Sequence, residues 1–295
     1  MSESSAIVLS GLAQARESFL GLVEDLRPEL HRYCARLTGS VIEGEDIVQD
    51  TLAKALYALS LSPEVPPLRP WLFRIAHNTA MDFLKSHGRR YTEVRAELDD
   101  VAMEVDEAAD PLVVRAALSR FLALPVSQRS AVILKDVLGH SLEETAETMG
   151  VTVLAVKGSL VRGRARLREV ALAGEAAEAT SDRGRLDRYA ALFNQRDWDG
   201  VRALVSEDCR LDLVSKSTRR GKAVGAYFGR YEKEPDVRLA VGRLEGRDVL
   251  GVFVGGAARP SYFILISWDG DGRVGAIRDY RYAQYVAAEA EFEVG

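Results

Sequence analysis

The chain has 295 residues, enough for two or three domains of ordinary size. Its 47% hydrophobic content allows sizeable cores and excludes a wholly disordered protein, and a formal net charge of −5 excludes a uniformly basic nucleic-acid coat. Cys34 and Cys209 are the only cysteines and lie far apart, which excludes a disulfide framework and a CxxC zinc site. His31, His77, His87 and His140 are scattered, so no metal site is expected, and nothing points to a cofactor. The opening MSESSAIVLSGLAQ has neither a basic start nor a sustained apolar stretch, so no leader is expected. The most apolar run, Tyr262–Trp268, is far short of a membrane span, and the default location is the cytoplasm.

From about Arg16 to Arg90 the pattern is helical, with Leu22, Leu26, Leu30, Tyr33 and Leu37 on one face. On the helix containing GEDIVQDTLAKAL, Asp46, Asp50 and Lys54 fall in one row with Gln49 beside it. Pro63, Pro66, Pro67 and Pro70 then break the pattern, and a helix is expected from Trp71 to about Ser86. Residues 92–111 are acidic and weakly periodic: a solvated spacer, or an acidic stretch that occupies a basic DNA channel. Residues 112–170 are helical again, and 171–182 form a second linker rich in Ala and Glu. Beyond it, helices are expected at 183–194 and 197–205, and strands at 208–214, 237–241, 248–254, 261–268 and 273–280. Asp269-Gly270-Asp271-Gly272 between the last two is a hairpin signal.

The run SLEETAETMGVTVLAVKGSLVRGRARLR, starting at Ser141, has the spacing of a helix-turn-helix. Ser141 and Glu144 make a capping box; Ala146 sits where two helices cross; Gly150 suits the turn; Val156 plugs the space between the helices. Thr152 is placed to cap the second helix. Lys157, Arg162, Arg164, Arg166 and Arg168 follow with no acid among them, and with Ser159 they are expected on the outward stripe and its flank. Such a helix enters the major groove with phosphates clamped by its charges; the plainer account is a solvated basic helix of a bundle. Gly158 and Gly163 are odd inside it, each costing about 1 kcal/mol relative to alanine.

GEDIVQDTLAKAL, then LRPWLFRIAHNTAMDFLKSHGRR, then LPVSQRSAVILKDVLGHSLEETAETMGVTVLAVKGSL resemble, in that order, regions two and four of the extracytoplasmic-function sigma factors. The resemblance covers roughly residues 20–90 and 112–170. It implies a non-enzymatic subunit that lends promoter recognition to core RNA polymerase. Region two, 16–91, would be a helical bundle, with Asp46, Gln49, Asp50 and Lys54 on the polymerase-docking surface. Its Trp71–Arg90 segment would recognise and open the −10 element of promoter DNA. Arg69, Arg74, Lys85, Arg89 and Arg90 would contact phosphates, while Asn78 and Asp82 would meet base edges. Trp71 and Phe73 would offer stacking surfaces, although for Trp71 a core anchor is an equal alternative. Region four, 112–170, would bind the −35 element, but the family often has Ser then Arg where this chain has Gly158 and Ser159.

Residues 183–295 resemble a SnoaL-like α+β cone with a curved mixed sheet, on RLDRYAALFNQRDWDGVRALVSEDCRLDLV and SYFILISWDGDGRVGAIRDYRY. Tyr189, Asp212, Tyr262, Trp268 and Asp279 are candidates for its pocket. No histidine follows His140 to pair with a carboxylate, so no catalytic residue is assigned. In sigma factors of this layout the resemblance implies an intramolecular regulator that contacts the helical domains. Two other readings stay open: a helix-turn-helix regulator with a ligand-sensing cone acting without polymerase, and a small-molecule cyclase or isomerase.

Overall fold

The computed structural model describes residues 14–62, 64–86, 118–170 and 182–295, and the chain divides into two compact units, Met1–Gly174 and Glu175–Gly295. The expected acidic linker at 92–111 lies outside the described residues, as does 171–181. Among the described residues no helix is long and apolar enough to cross a membrane.

The first unit is helical. It comprises α1 (Arg27–Thr38), α2 (Val41–Leu61), α3 (Leu68–Ser86), α4 (Leu118–Phe121), α5 (Val126–Val132) with a π-helical turn at Ile133–Val137, α6 (Leu142–Met149) and α7 (Val153–Val170). Helix α1 stops at Gly39, whose φ of 77° needs a residue without a side chain, and Ser40 then caps α2 by accepting from the Glu43 N–H at 3.2 Å. Helix α3 begins three residues before the expected Trp71, because Pro70 falls in the first turn, where its missing N–H breaks no bond.

The two helical segments share one core. Leu30, Tyr33, Leu37, Val48, Phe73 and Ala76 lie in the same apolar cluster as Phe121, Val132, Leu134, Leu142, Val156 and Leu160. Gly163 is explained here: a Cβ on it would stand 2.8 Å from Val132 Cγ2 and 3.3 Å from the Gln128 carbonyl. The missing side chain lets α7 lie close on α5, and that contact offsets the poor helix propensity.

The second unit is α+β. It contains α8 (Arg183–Asn194), α9 (Trp198–Leu204), β1 (Val205–Leu213), β2 (Ser217–Arg220), α10 (Gly225–Tyr231), β3 (Val237–Leu244), β4 (Arg247–Val254), β5 (Tyr262–Trp268), β6 (Val274–Asp279), α11 (Tyr285–Ala288) and β7 (Phe292–Val294). The strands form one mixed sheet in the order β2-β1-β6-β5-β4-β3-β7, with β1 and β6 parallel and every other pair antiparallel. The expected hairpin forms: Asp269 N donates to the Arg273 carbonyl at 2.8 Å, and Asp269 Oδ1 accepts from the N–H groups of Asp271 and Arg273. Strands β2 and β7 and helix α10 were not expected. The Ser217–Arg220 edge strand is charged and mostly exposed, so it lacks an apolar alternation to read. Phe292 of β7 covers Gly242 and Gly251 on neighbouring strands, where a Cβ at Gly251 would stand 2.7 Å from its ring.

Gly163→Ala is expected to lower the stability of the first unit by about 1–3 kcal/mol through overpacking, despite the better helix propensity of alanine. Urea unfolding of the full chain checks this; an unchanged or higher midpoint refutes the close-packing account.

Candidate nucleic-acid interface

The helix-turn-helix is built as its spacing requires. Ser141 Oγ accepts from Glu144 N at 3.0 Å while Glu144 Oε2 accepts from Ser141 N at 2.7 Å, closing the capping box. Gly150 takes a φ of 66°, and Val151 N returns to the Ala146 carbonyl at 3.0 Å. Thr152 Oγ1 accepts from Ala155 N at 3.2 Å at the start of α7. Ala146, Val156 and Leu160 are buried at the crossing.

The outer surface of α7 differs in part from expectation. Arg162, Arg166 and Arg168 are exposed and Lys157 is half-buried, all consistent with a phosphate-facing row. Arg164 is not in that row. It is buried and holds the equally buried Asp136 with two hydrogen bonds, Nε to Oδ2 at 2.9 Å and Nη2 to Oδ1 at 2.6 Å. Ser159 is buried as well. Both leave the DNA-facing set: Arg164 is drawn inward by Asp136 on the π-helical turn after α5, and Ser159 is covered.

On α3, Arg74, Asn78, Asp82 and Lys85 form an exposed row at three- and four-residue spacing. Trp71, half-buried, extends it while its body rests on the apolar core. Arg69 is half-buried, donates from Nε to Glu29 Oε2 at 3.1 Å and lies over the Phe73 ring at 5.5 Å. Phe73 offers no stacking surface. Its ring is wholly buried, edge-on to Tyr33 at 5.9 Å and to His140 at 4.8 Å. Arg89 and Arg90 lie outside the described residues.

The expected docking row on α2 exists on its outer side. Asp50 and Lys54 are exposed, with Lys54 Nζ donating to Thr79 Oγ1 at 3.0 Å; Asp46 and Gln49 are half-buried, and Gln49 donates to Glu45 Oε1 at 3.4 Å. Sequence reasoning missed that Tyr57 and Leu61 continue this row, exposed to 68% and 71%. Their offsets of seven and eleven from Asp50 were the available signal.

A polar relay inside the first unit was also missed. Tyr33 Oη lies 2.7 Å from both His77 Nδ1 and Ser130 Oγ, and Ser130 Oγ lies 3.2 Å from His77 Nδ1. Arg129 adds bonds to the carbonyls of Leu37, Leu122 and Leu124. Burial lowers His77 to about 4, and burial, aided by Arg69, lowers His140 to about 4, so both imidazoles are neutral near pH 7.

In the second unit the expected pocket residues separate. Asp279 is wholly buried and accepts from Tyr227 Oη at 2.9 Å, Tyr231 Oη at 2.8 Å and Arg281 N at 2.8 Å. Its carboxyl is raised by burial, against the pull of these donors. Tyr262 Oη lies 3.2 Å from Tyr231 Oη and accepts from Arg281, which also pairs with Glu234. Tyr189 is buried in the same unit, its phenol raised chiefly by burial and next by Asp279. Asp212 does not join them. The register pairs Leu213 with Asp279 and Asp212 with Arg278, so Asp212 lies on the other face and meets Arg278 at 3.6 Å. Trp268 is half-buried beneath the Arg185 guanidinium at 5.6 Å. The Asp279 carboxylate is thus met by donors that make a packed core around it. Among the described residues no group of His, Cys, Asp and Glu is placed to hold a metal ion.

Two family models match the first unit: Sigma-70 region 2 over residues 22–105 and Sigma-70, region 4, over residues 115–167. The ECF RNA polymerase sigma factor SigG of Mycobacterium tuberculosis is 30% identical over 225 residues, covering 66% of this chain and 61% of SigG. The chain therefore spans less than two thirds of that relative's length. The ECF RNA polymerase sigma factor SigM of Mycobacterium tuberculosis is 32% identical over 165 residues, covering 56% of this chain and 82% of SigM. Among solved structures, that of the Mycobacterium tuberculosis extracytoplasmic function sigma factor SigJ matches 88% of this chain and 95% of its own, with 23% identity and a TM-score of 0.36.

Arg164→Ala is expected to destabilise the first unit by about 3–5 kcal/mol, because it strands the buried Asp136 charge. Arg162→Ala and Arg166→Ala, at exposed positions, should each stay within about 0.5 kcal/mol. Guanidinium unfolding of the three variants separates them; equal midpoints for all three would refute the inward assignment of Arg164.

Proposed function

The chain belongs to the ECF family of RNA polymerase sigma factors, and on that premise we propose that it directs core RNA polymerase to promoters and starts transcription there, working in the cytoplasm as a non-enzymatic subunit. In this reading residues 16–91 act as region two, 112–170 as region four, and 183–295 as a SnoaL-like regulatory domain acting within the same chain. Asp46, Gln49, Asp50 and Lys54 dock on the polymerase. Trp71, Arg74, Asn78, Asp82 and Lys85, with Arg69, Arg89 and Arg90, serve the −10 element. Lys157, Arg162 and Arg166 serve the −35 element. The observation that carries the reading is the capped helix-turn-helix with its exposed arginine row, in a chain whose other helical segment presents a second polar row on α3.

One structural feature adds a requirement. Elements centred near −10 and −35 are separated by roughly 25 base pairs, or about 85 Å of duplex at about 3.4 Å per step. Helices α3 and α7 belong to one compact unit with one core. The two segments must therefore part for both rows to reach one promoter, and the form described is the closed one. The second unit is a natural place for control of that step, since a tether of about ten residues keeps its local concentration in the millimolar range.

The test is transcription in vitro with core polymerase, followed by mapping of start sites. Defined starts should require both the chain and the core enzyme. Replacing Arg162 and Arg166 by alanine should weaken promoter binding and reduce the salt slope by about two, near one per lost phosphate contact. A chain that never associates with core polymerase, yet binds duplex DNA alone, would instead be a regulator of the polymerase-independent kind. Removal of residues 183–295 should change transcript output; an unchanged output at equal polymerase binding would refute the regulatory role.

A further inference from the structure

Two strands at the rim of the second unit carry charge that the fold itself does not use. Strand β2 stands at one end of the sheet, and its hairpin with β1 sets Arg220 opposite Arg210 and Arg219 opposite Leu211. All three arginines are exposed. Lys216, at the turn of the hairpin, is exposed as well, with its Nζ 4.1 Å from the centre of the Tyr282 ring. Elsewhere in the unit Arg202, Arg230 and Arg281 hold carboxylates, but Arg210, Arg219 and Arg220 hold none among the described residues. Within the paired stretch the acid is Asp212, and it is engaged by Arg278 and Thr218. Glu207 and Asp208 lie past the last paired residues.

Residues directly opposite on antiparallel strands share a face, with Cβ atoms about 5 Å apart, and like charges so placed repel. A charge on an edge strand guards it against pairing with another chain, which accounts for Arg219 and Arg220. It does not account for Arg210, because β1 lies between β2 and β6 and has no free edge. Two guanidiniums held side by side match two phosphates of a nucleic-acid backbone, whose charges recur every ~3.4 Å along each strand. Arg219 alternates to the opposite face, so the three straddle the rim, where the outward N–H groups of β2 meet no further strand. The tether from Val170 to Asp182 spans at most about 40 Å, or roughly a dozen base-pair steps. A duplex held by α7 is therefore an acidic partner always within reach. We propose that the β1–β2 hairpin is a third DNA contact of this chain, in which Arg210, Arg219 and Arg220 grip backbone phosphates of the duplex that α7 binds. The contact rests on the assignment of α7 to duplex DNA made above. It reads no sequence, and it ties the second unit to the promoter.

The experiment uses the full chain in complex with core RNA polymerase, on a promoter duplex extended to both sides. Hydroxyl-radical footprints and the salt dependence of binding are compared for three chains. These are the wild type, a glutamine variant with Arg210→Gln, Arg219→Gln and Arg220→Gln together, and a lysine variant with Arg210→Lys, Arg219→Lys and Arg220→Lys. The wild type should protect backbone positions within about a dozen base pairs of those protected by α7. The glutamine variant should lose that protection alone, and its salt slope should fall by about two to three. The lysine variant keeps the charges and should keep most of both. Relief of the Arg210–Arg220 repulsion should leave the thermal midpoint of the glutamine variant unchanged or raised, which separates lost contact from unfolding. Equal footprints and slopes in all three chains overturn the hairpin contact and leave the promoter assignment intact. A glutamine variant that binds core polymerase less well without DNA, with its footprint unaltered, reveals a protein contact and overturns the proposal too. So does a variant that aggregates while footprint and slope hold, the result expected of an edge guard. Should the wild type ignore core polymerase and bind duplex alone, the promoter assignment fails. The hairpin contact then stands if the glutamine variant still lowers the slope on that duplex, and falls if it does not.

Discussion

Everything described for the first unit hangs on a set of polar bonds buried between its two helical segments. The Tyr33 hydroxyl meets His77 and Ser130 together, and the Arg129 guanidinium gathers carbonyls from the end of α1 and the approach to α5. A buried hydroxyl or guanidinium without partners costs several times what its bond contributes when made, so such groups act as keys that fit one arrangement only. Apolar surfaces alone would tolerate sliding of one helix pair on another. The relay does not. It commits the inner faces of α1, α3 and α5, and the charged rows on α2, α3 and α7 are what is left to face outward.

That division explains what sequence could and could not reveal. The helix-turn-helix was legible because every one of its signals is local: a capping box over three residues, a left-handed glycine, a threonine cap, and apolar positions at helical spacing. Rows on α2 and α3 were legible for the same reason. Arg164 and Ser159 were misplaced because periodicity defines a face but not its edges. The partner that draws Arg164 inward, Asp136, lies 28 residues earlier on a turn whose π-helical geometry has no signature in composition. Phe73 was misread by residue type, since an aromatic among arginines suggests base stacking until its neighbours Tyr33 and His140 are known. His77 and His140, far apart in the sequence, are buried in one interior, where Tyr33 meets the first and Phe73 the second.

In the second unit the strands were legible where apolar alternation and turn residues coincide, and the edges were not. Asp212 illustrates the limit. It sits one residue from Leu213, the partner of Asp279 in the sheet, and a shift of one residue along a strand reverses the face. Only the register could tell the two carboxylates apart. Tyr189, Tyr227, Tyr231 and Tyr262 are buried together in this unit, and Asp279 and Arg281 tie the hydroxyls of the last three together. Such a network favours rigidity over reactivity.

The bond between Tyr33 and Ser130 joins residues 97 positions apart. A ribosome adding about 5–20 residues each second needs roughly 5–20 s to produce that interval. In the later part of this time, once Ser86 has been made, α1 to α3 exist without the helices that will cover Leu37, Phe73 and Ala76, so a sticky, half-finished bundle waits in the exit region. Each newly made molecule thus passes through a brief stage in which anything that recognises bare apolar surface, a chaperone or a sister nascent chain, can claim it before its own second half arrives.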